Sequence, residues 1–185
     1  MRAIALLATI LLLAACNREP DIFFDDPRVD LTEPRRVVYP SIEVREISLP
    51  AYADASEIVV DAGGALISTE TFWADDPARA VTLDVARHLS QITHSRVAPD
   101  PWPFDDPPTA ELDIRVETLL ARADGAFVLE AQWFAAGQDG WSDRSGRVDL
   151  VTPYDPAGGP PAVAAARSTA IAGLAAEIAE ALHPR

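Results

Sequence analysis

Alternating apolar and polar residues mark the clearest strands in the chain. Leu112, Ile114 and Val116 alternate with charged residues, and the segment 127–133 alternates in the same way after a turn signal at 122–125. Period-two alternation is typical of strands that bury one face. This pattern predicts a hairpin of two half-buried strands, at 111–118 and 126–134.

Shorter apolar runs predict further strands. The residues around Ile58 form such a run, and Ala62-Gly63-Gly64 then supplies a hairpin turn signal. We expect strands at 42–49, 57–61, 65–72 and about 147–151, with Ile22–Phe24 as an edge strand docking on the domain. The segment 98–108 contains five prolines, which predicts irregular structure because proline cannot donate a backbone hydrogen bond.

Two segments have the spacing of amphipathic helices. Asp76 and Pro77 suit the N-cap and first position of a helix over 77–93, in which apolar residues recur at Val81, Val85, Leu89 and Ile92. A second, alanine-rich helix is predicted over 162–182. The predicted order is βββαβββα. We therefore expect an α+β fold with a largely antiparallel sheet and two helices packed on it.

The N-terminus has the features of a lipoprotein leader. Ala3 to Leu13 is an uncharged apolar run, too short to span a bilayer as a helix, which needs roughly 20 residues. It ends in Leu13-Ala14-Ala15-Cys16, which resembles a lipobox, and Cys16 is the only cysteine. We predict a signal peptide at 1–15, a lipidated Cys16 with a tether at 16–36, and one domain at 37–185. By family analogy, Asn17 after the cysteine favours sorting to the outer membrane.

Composition excludes several functions. The formal net charge is −14 and all fifteen cations are arginine, so binding to nucleic acid or to anionic headgroups is disfavoured. The spacing of His88, His94 and His183 fits no helical metal pair, and no nucleophile or phosphate-loop motif is present. We predict a protein that is not an enzyme and has no cofactor beyond the covalent lipid. Asp-Asp-Pro occurs at 25–27, 75–77 and 105–107, which we interpret as capping and turn chemistry.

Several motifs resemble the ABC-type transport auxiliary lipoproteins, the PqiC/YmbA group. They are Leu49-Pro50-Ala51-Tyr52, Phe72-Trp73-Ala74-Asp75 before the first helix, Leu112-Asp113-Ile114-Arg115-Val116 and Val128-Leu129-Glu130-Ala131-Gln132-Trp133. The resemblance implies an accessory subunit that is lipid-anchored on the periplasmic face of the outer membrane. Its implied partners are an MCE-domain protein and an inner-membrane permease of a lipid-transport or membrane-integrity system.

Alternatives remain open at this stage. The chain could instead activate or scaffold another envelope machine, such as a cell-wall synthase. Leu49, Pro50, Tyr52 and Trp73 fit either a packed core at the strand ends or a surface that meets a partner. The alanines of the terminal helix permit close helix approach, so a homo-oligomer built on that helix is a further hypothesis.

Overall fold

The computed structural model describes residues 20–184, so the predicted signal peptide, Cys16 and Asn17 lie outside the described residues. The elements in chain order are β1 (Ile22–Phe24), β2 (Ser41–Val44), β3 (Glu57–Asp61), β4 (Leu66–Trp73), α1 (Pro77–Ile92), β5 (Arg96–Pro99), β6 (Ala110–Arg122), β7 (Ala126–Gly137), β8 (Arg144–Pro153), a short 3₁₀ turn (Pro156–Gly158) and α2 (Gly159–Ala181). The predicted α+β class with two helices is confirmed, and so is the edge strand at Ile22–Phe24.

A single eight-stranded sheet is organised around β6. β7 pairs antiparallel along one edge of β6, and β8 pairs antiparallel with β7. The other edge of β6 is shared, because β2 lies parallel to its first residues and β3 lies parallel to its last. β5 continues the sheet beyond β2, whereas β4 and then β1 continue it beyond β3. The sheet is therefore mixed, with long antiparallel pairings on one side of β6 and short parallel pairings on the other.

A β-bulge explains why β6 extends beyond its predicted end. Leu112, Ile114 and Val116 are buried, but after the register shift between Val116 and Thr118 the buried positions become Leu119 and Ala121. One extra residue reverses the phase of alternation. The simple period is lost at this point, so the alternation alone predicts an end of the strand at 118. The predicted hairpin of β6 with β7 is confirmed.

Both helices and the inward-facing strand residues share one hydrophobic core. α1 begins as predicted, since Asp76 Oδ1 accepts a hydrogen bond from the Arg79 amide at 2.9 Å and Pro77 occupies the first turn. The opposite face of the sheet carries ion pairs such as Arg147–Glu117 and is exposed. The result is a two-layer arrangement in which helices cover one face of the sheet.

The alanines of α2 are used inside the domain. Ala164, Ala172, Ala175 and Ala179 are buried, as is the apolar stripe of Ile171, Leu174 and Ile178. The hypothesis that these alanines form a second, free contact surface is therefore wrong. Residues 156–181 are long and apolar enough to cross a membrane by composition alone, but most of this segment is buried in the domain, as in a core helix.

The structure corrects two further expectations. Arg96–Pro99 forms β5, parallel to β2, although Ala98 and Pro99 belong to the segment predicted to be irregular. Proline is tolerated there because β5 is an edge strand. The strand predicted at 42–49 ends at Val44, and only an isolated bridge between Ser48 and Arg115 continues it.

Candidate functional site

Most of the segment predicted to be a tether, from Ile22 onward, packs on the domain. β1 pairs with β4, the Arg35 amide donates to the Ile92 carbonyl at 2.6 Å, and the Val38 amide donates to the Leu182 carbonyl at 2.9 Å. Contacts with the domain therefore begin at Ile22, on the N-terminal side of the predicted boundary at residue 36. A polar sequence that contains prolines resembles a linker. Its attachment to the domain is visible only in contacts with residues far away in the sequence.

A buried ion pair fastens this segment to α2. Arg167 Nη1 donates to Asp26 Oδ2 at 2.7 Å, and the two side chains are only 3% and 6% exposed respectively. Arg167 Nη2 donates to the Pro77 carbonyl at 3.3 Å, and its guanidinium lies 4.2 Å from the Trp73 ring centroid. One arginine thus joins the N-terminal segment, the end of β4 and the beginning of α1 to α2.

Burial dominates the electrostatics of this pair. It raises the pKa of Asp26 from 3.8 to about 6, although the neighbouring Arg167 opposes the shift. Burial likewise lowers the pKa of Arg167, with Asp26 opposing it. Asp26 Oδ1 has no hydrogen-bond partner within residues 20–184. Burying a charge costs free energy even when it is paired, so the pair stabilises the fold less than its short distance suggests.

The structure brings together two of the residues that the sequence motifs singled out. Tyr52 and Trp73 line one cavity with Leu119, Phe127 and Arg167, whereas Leu49 and Pro50 are half-buried in the turn before Tyr52. The cavity measures about 20 Å³, which is room for about one water molecule. Tyr52 and Trp73 both pack against the core. The cavity that they line is therefore too small for a lipid chain.

Aromatic residues mark the opposite end of the sheet. Trp102 Nε1 donates to the Asp106 carbonyl at 2.7 Å and its ring lies 4.9 Å from that of Phe104. Beside it is an open groove of about 610 Å³, lined mainly by polar side chains such as Ser41, His94, Arg96 and Thr109. Trp141, in the β7–β8 turn, packs edge-on against Tyr39. These loop tryptophans are partly exposed and lie far from the Asp26–Arg167 pair along the strands.

The histidines form no site. His88 is buried in α1, where burial lowers the pKa of its imidazole and the neighbouring Arg87 lowers it further. Within residues 20–184, no group of three or more histidine, cysteine, aspartate or glutamate side chains is placed to hold a metal ion.

A family model of the ABC-type transport auxiliary lipoprotein component matches residues 25–179. The chain belongs to this family. No curated protein matches the chain. Two solved structures have a TM-score of 0.63: a crystal structure of an uncharacterized protein, 18% identical over 88% of this chain and 98% of its own, and protein XCC0632 from Xanthomonas campestris of the DUF330 family, 20% identical over 85% and 91%. At these identities the two structures support the fold alone.

Membership in the auxiliary lipoprotein family makes this chain an accessory component of an ABC-type transport system. Sequence reasoning missed the buried pair that fastens the fold of this member. Arg167 is the one charged residue on the buried face of α2, which was a usable signal. Asp26 belongs to the Asp-Asp-Pro at 25–27, which we interpret from the sequence as capping and turn chemistry. Asp25 does accept a hydrogen bond from the next amide, but the Asp26 carboxylate pairs with Arg167 and caps nothing among the described residues.

Proposed function

We propose that this chain is the lipid-anchored accessory subunit of an MCE-type envelope lipid-transport system. It would dock the transport conduit at the periplasmic face of the outer membrane. Membership of residues 25–179 in the auxiliary lipoprotein family carries the proposal. The lipobox-like sequence ending at Cys16 supports the anchor, and Asn17 supports sorting to the outer membrane.

The interior of the domain supports docking over lipid carriage. The cavity beside Trp73 holds about 20 Å³, whereas pockets for small molecules usually hold roughly 300–1,000 Å³ and are lined mainly by apolar side chains. The groove of about 610 Å³ beside Trp102 is large enough, but it is open and lined mainly by polar side chains. A lipid would therefore travel through a partner, and this subunit would position that partner.

We also propose that the chain is not an enzyme. Asp26 has the raised pKa that often marks a catalytic carboxylate. Its side chain is nevertheless only 6% exposed and is held by Arg167, so a substrate has no access to it. The perturbed pKa belongs to a structural ion pair.

The anchor is tested by labelling with radioactive palmitate. Wild-type protein should incorporate the label and Cys16→Ser should not; equal incorporation would end the lipoprotein proposal. Membrane fractionation tests sorting, with Asn17→Asp expected to move the protein toward the inner membrane and Asn17→Gln as the matched control. An unchanged distribution for Asn17→Asp would remove the support that Asn17 gives to outer-membrane location.

The partner is tested by crosslinking in cells followed by affinity purification of this chain. We expect an MCE-domain protein and its permease to be recovered, and we expect Cys16→Ser to reduce that recovery because the anchor places the domain. Recovery of a cell-wall synthase in their place would favour the alternative role as an activator or scaffold.

A further inference from the structure

The direction of β1 determines where the lipid anchor leaves the domain. β1 runs parallel to β4, with Ile22 beside Thr71 and Phe24 beside Trp73. The chain before Ile22 therefore leaves β1 toward the first residues of β4, where the β3–β4 turn lies. We call residues 62–67 the hairpin tip.

The reach of the anchor matches the distance to this tip. Cys16 precedes Ile22 by six residues, a reach of at most about 20 Å for an extended chain. Leu66 precedes Thr71 by five residues on β4, or about 17 Å at the rise of a strand. The β7–β8 turn is at the other end of the sheet, because β6 runs thirteen residues from Ala110 to Arg122, about 40 Å. A lipid on Cys16 would thus hold the hairpin tip near the bilayer and the β7–β8 turn away from it.

The surface on this side of the domain is apolar. Four of the nine large hydrophobic side chains that are exposed within residues 20–184 lie on β1 and the start of β4, namely Ile22, Phe23, Leu66 and Ile67, with exposures of 53%, 60%, 48% and 54%. The Phe23 ring packs on Phe72 at 5.7 Å between centroids and still leaves most of its surface open. The two pairs lie at two places along β4, about 17 Å apart at the rise of a strand, and the pair on the hairpin tip is the one toward which the chain leaves β1. Exposed apolar side chains on one side of a domain mark a surface that meets a partner or a membrane.

Charge also separates the hairpin tip from the rest of the domain. Residues 62–69 form an uncharged run in a chain with a net charge of −14. Like charge repels an acidic surface from an anionic bilayer, so approach is easiest where the protein carries no charge. Carboxylates flank this side, at Asp21, Asp25, Asp61 and Glu70, which favours a zwitterionic lipid interface over an anionic one.

We infer that the hairpin tip rests on the phospholipid surface that holds the anchor, with Leu66 and Ile67 in its headgroup region and with Ile22 and Phe23 on the same side of the domain, above the headgroups. The inference rests on the lipidated Cys16 of the proposed function. It gives the domain an orientation, in which the exposed aromatic residues Phe104 and Trp141 face away from the membrane toward the periplasmic partner.

The orientation is tested with fluorescent labels on single introduced cysteines, since Cys16 would be acylated. Ile67→Cys carries an environment-sensitive dye at the hairpin tip, and Ser142→Cys is the matched control in the β7–β8 turn. The lipidated full chain is reconstituted in phosphatidylcholine vesicles that contain a headgroup-region spin-labelled lipid. If the side chain at position 67 lies roughly 5–10 Å deep in the interface, the dye at that position should lose about half of its fluorescence. The dye at position 142 should lose almost none.

A second pair of variants tests the apolar contact itself. With the dye on Ala65→Cys, the double substitution Leu66→Glu and Ile67→Glu should abolish quenching. Phe134→Glu, at an apolar site that is 38% exposed on β7 near the β7–β8 turn, should leave it unchanged.

Mass spectrometry separates the two ways of failing. Absence of the acyl mass on Cys16 would overturn the anchor and the orientation together. An acylated chain with no quenching at 67, or with stronger quenching at 142, would leave the lipoprotein intact and overturn the orientation alone.

Discussion

Replacing Arg167 by methionine removes the buried charge while keeping an unbranched side chain in α2. The substitution leaves Asp26 buried without its partner and removes the cation from the face of Trp73. Removal of one member of a buried ion pair costs about 3–5 kcal/mol of unfolding free energy. A loss of about 4 kcal/mol lowers the Tm of a domain of this size by about 8–16 °C.

The loss should depend on pH because Asp26 can escape its unpaired charge by taking up a proton. Arg167 is the neighbour that lowers the pKa of Asp26, while burial and the carboxylates of Asp84 and Asp25 raise it. Without Arg167 that pKa should rise above the wild-type value of about 6.

The sign of the pH dependence follows from this shift. The folded pKa exceeds the ordinary value of 3.8, so the folded state binds the proton more tightly than the unfolded state. Stability from this group is present at low pH and is lost as pH rises through the folded pKa. The stability difference between wild type and Arg167→Met should therefore widen from pH 6 to pH 8.

Urea unfolding of the unlipidated chain, followed by tryptophan fluorescence at pH 5, 7 and 8, measures both effects. The matched control is Arg79→Met, because Arg79 pairs with Asp75 on the surface and its side chain is 60% exposed; we expect a loss of no more than about 1 kcal/mol. The double variant Asp26→Leu with Arg167→Met should recover most of the stability, since apolar replacements of buried pairs are often neutral. A loss below about 1 kcal/mol for Arg167→Met at pH 8, or one that does not change with pH, would refute the reasoning.

Three further predictions test the packing and the assembly of the domain. Gly146→Ala should lower the free energy of unfolding in urea by about 1–3 kcal/mol, because its Cβ would lie 2.7 Å from the buried Trp133 ring. The control is Gly173→Ala, whose Cβ meets only the flexible end of a side chain and which should be nearly neutral. Equal losses for the two variants would contradict this reasoning. Trp73→Ala should lower stability by about 3 kcal/mol, and Tyr52→Ala should do so too because both side chains pack against the core. Weakened partner capture with an unchanged melting temperature would instead place them at an interface. If the domain self-associates, sedimentation should show tighter assembly at high salt, which screens its net charge of −14; a monomer at tens of micromolar in both salt conditions would end the homo-oligomer hypothesis.

The Asp26–Arg167 pair and the proposed orientation bear on one another. The pair holds the chain two residues after β1, so a pull on the anchor at Cys16 would be borne by β1 and this ion pair. A short anchor on a firmly held strand gives a defined orientation, which a long free tether would not. A fixed orientation would suit a docking subunit, because it would always present the same surface to its partner.

Local sequence determined the elements whose signals are short-range. Asp76 and Pro77 predict the start of α1, since capping needs only residues within one turn. Alternation predicts the β6–β7 hairpin because its strands are neighbours along the chain. The lipobox-like sequence at Cys16 is likewise a local motif. The four short motifs at 49–52, 72–75, 112–116 and 128–133 together carried the resemblance to the family, which the family model confirms.

Tertiary structure alone decided the features that join distant residues. β5 forms because it pairs with the edge of β2. The prolines around β5 hide this strand from sequence-based prediction. Asp26 and Arg167 lie 141 residues apart, and the identity of a charged residue does not reveal that it is buried. The alanines of α2 suggested a free surface, yet α1 and the sheet cover them. In each case the deciding free energy comes from burial and pairing across the fold, which a single sequence does not encode in any local pattern.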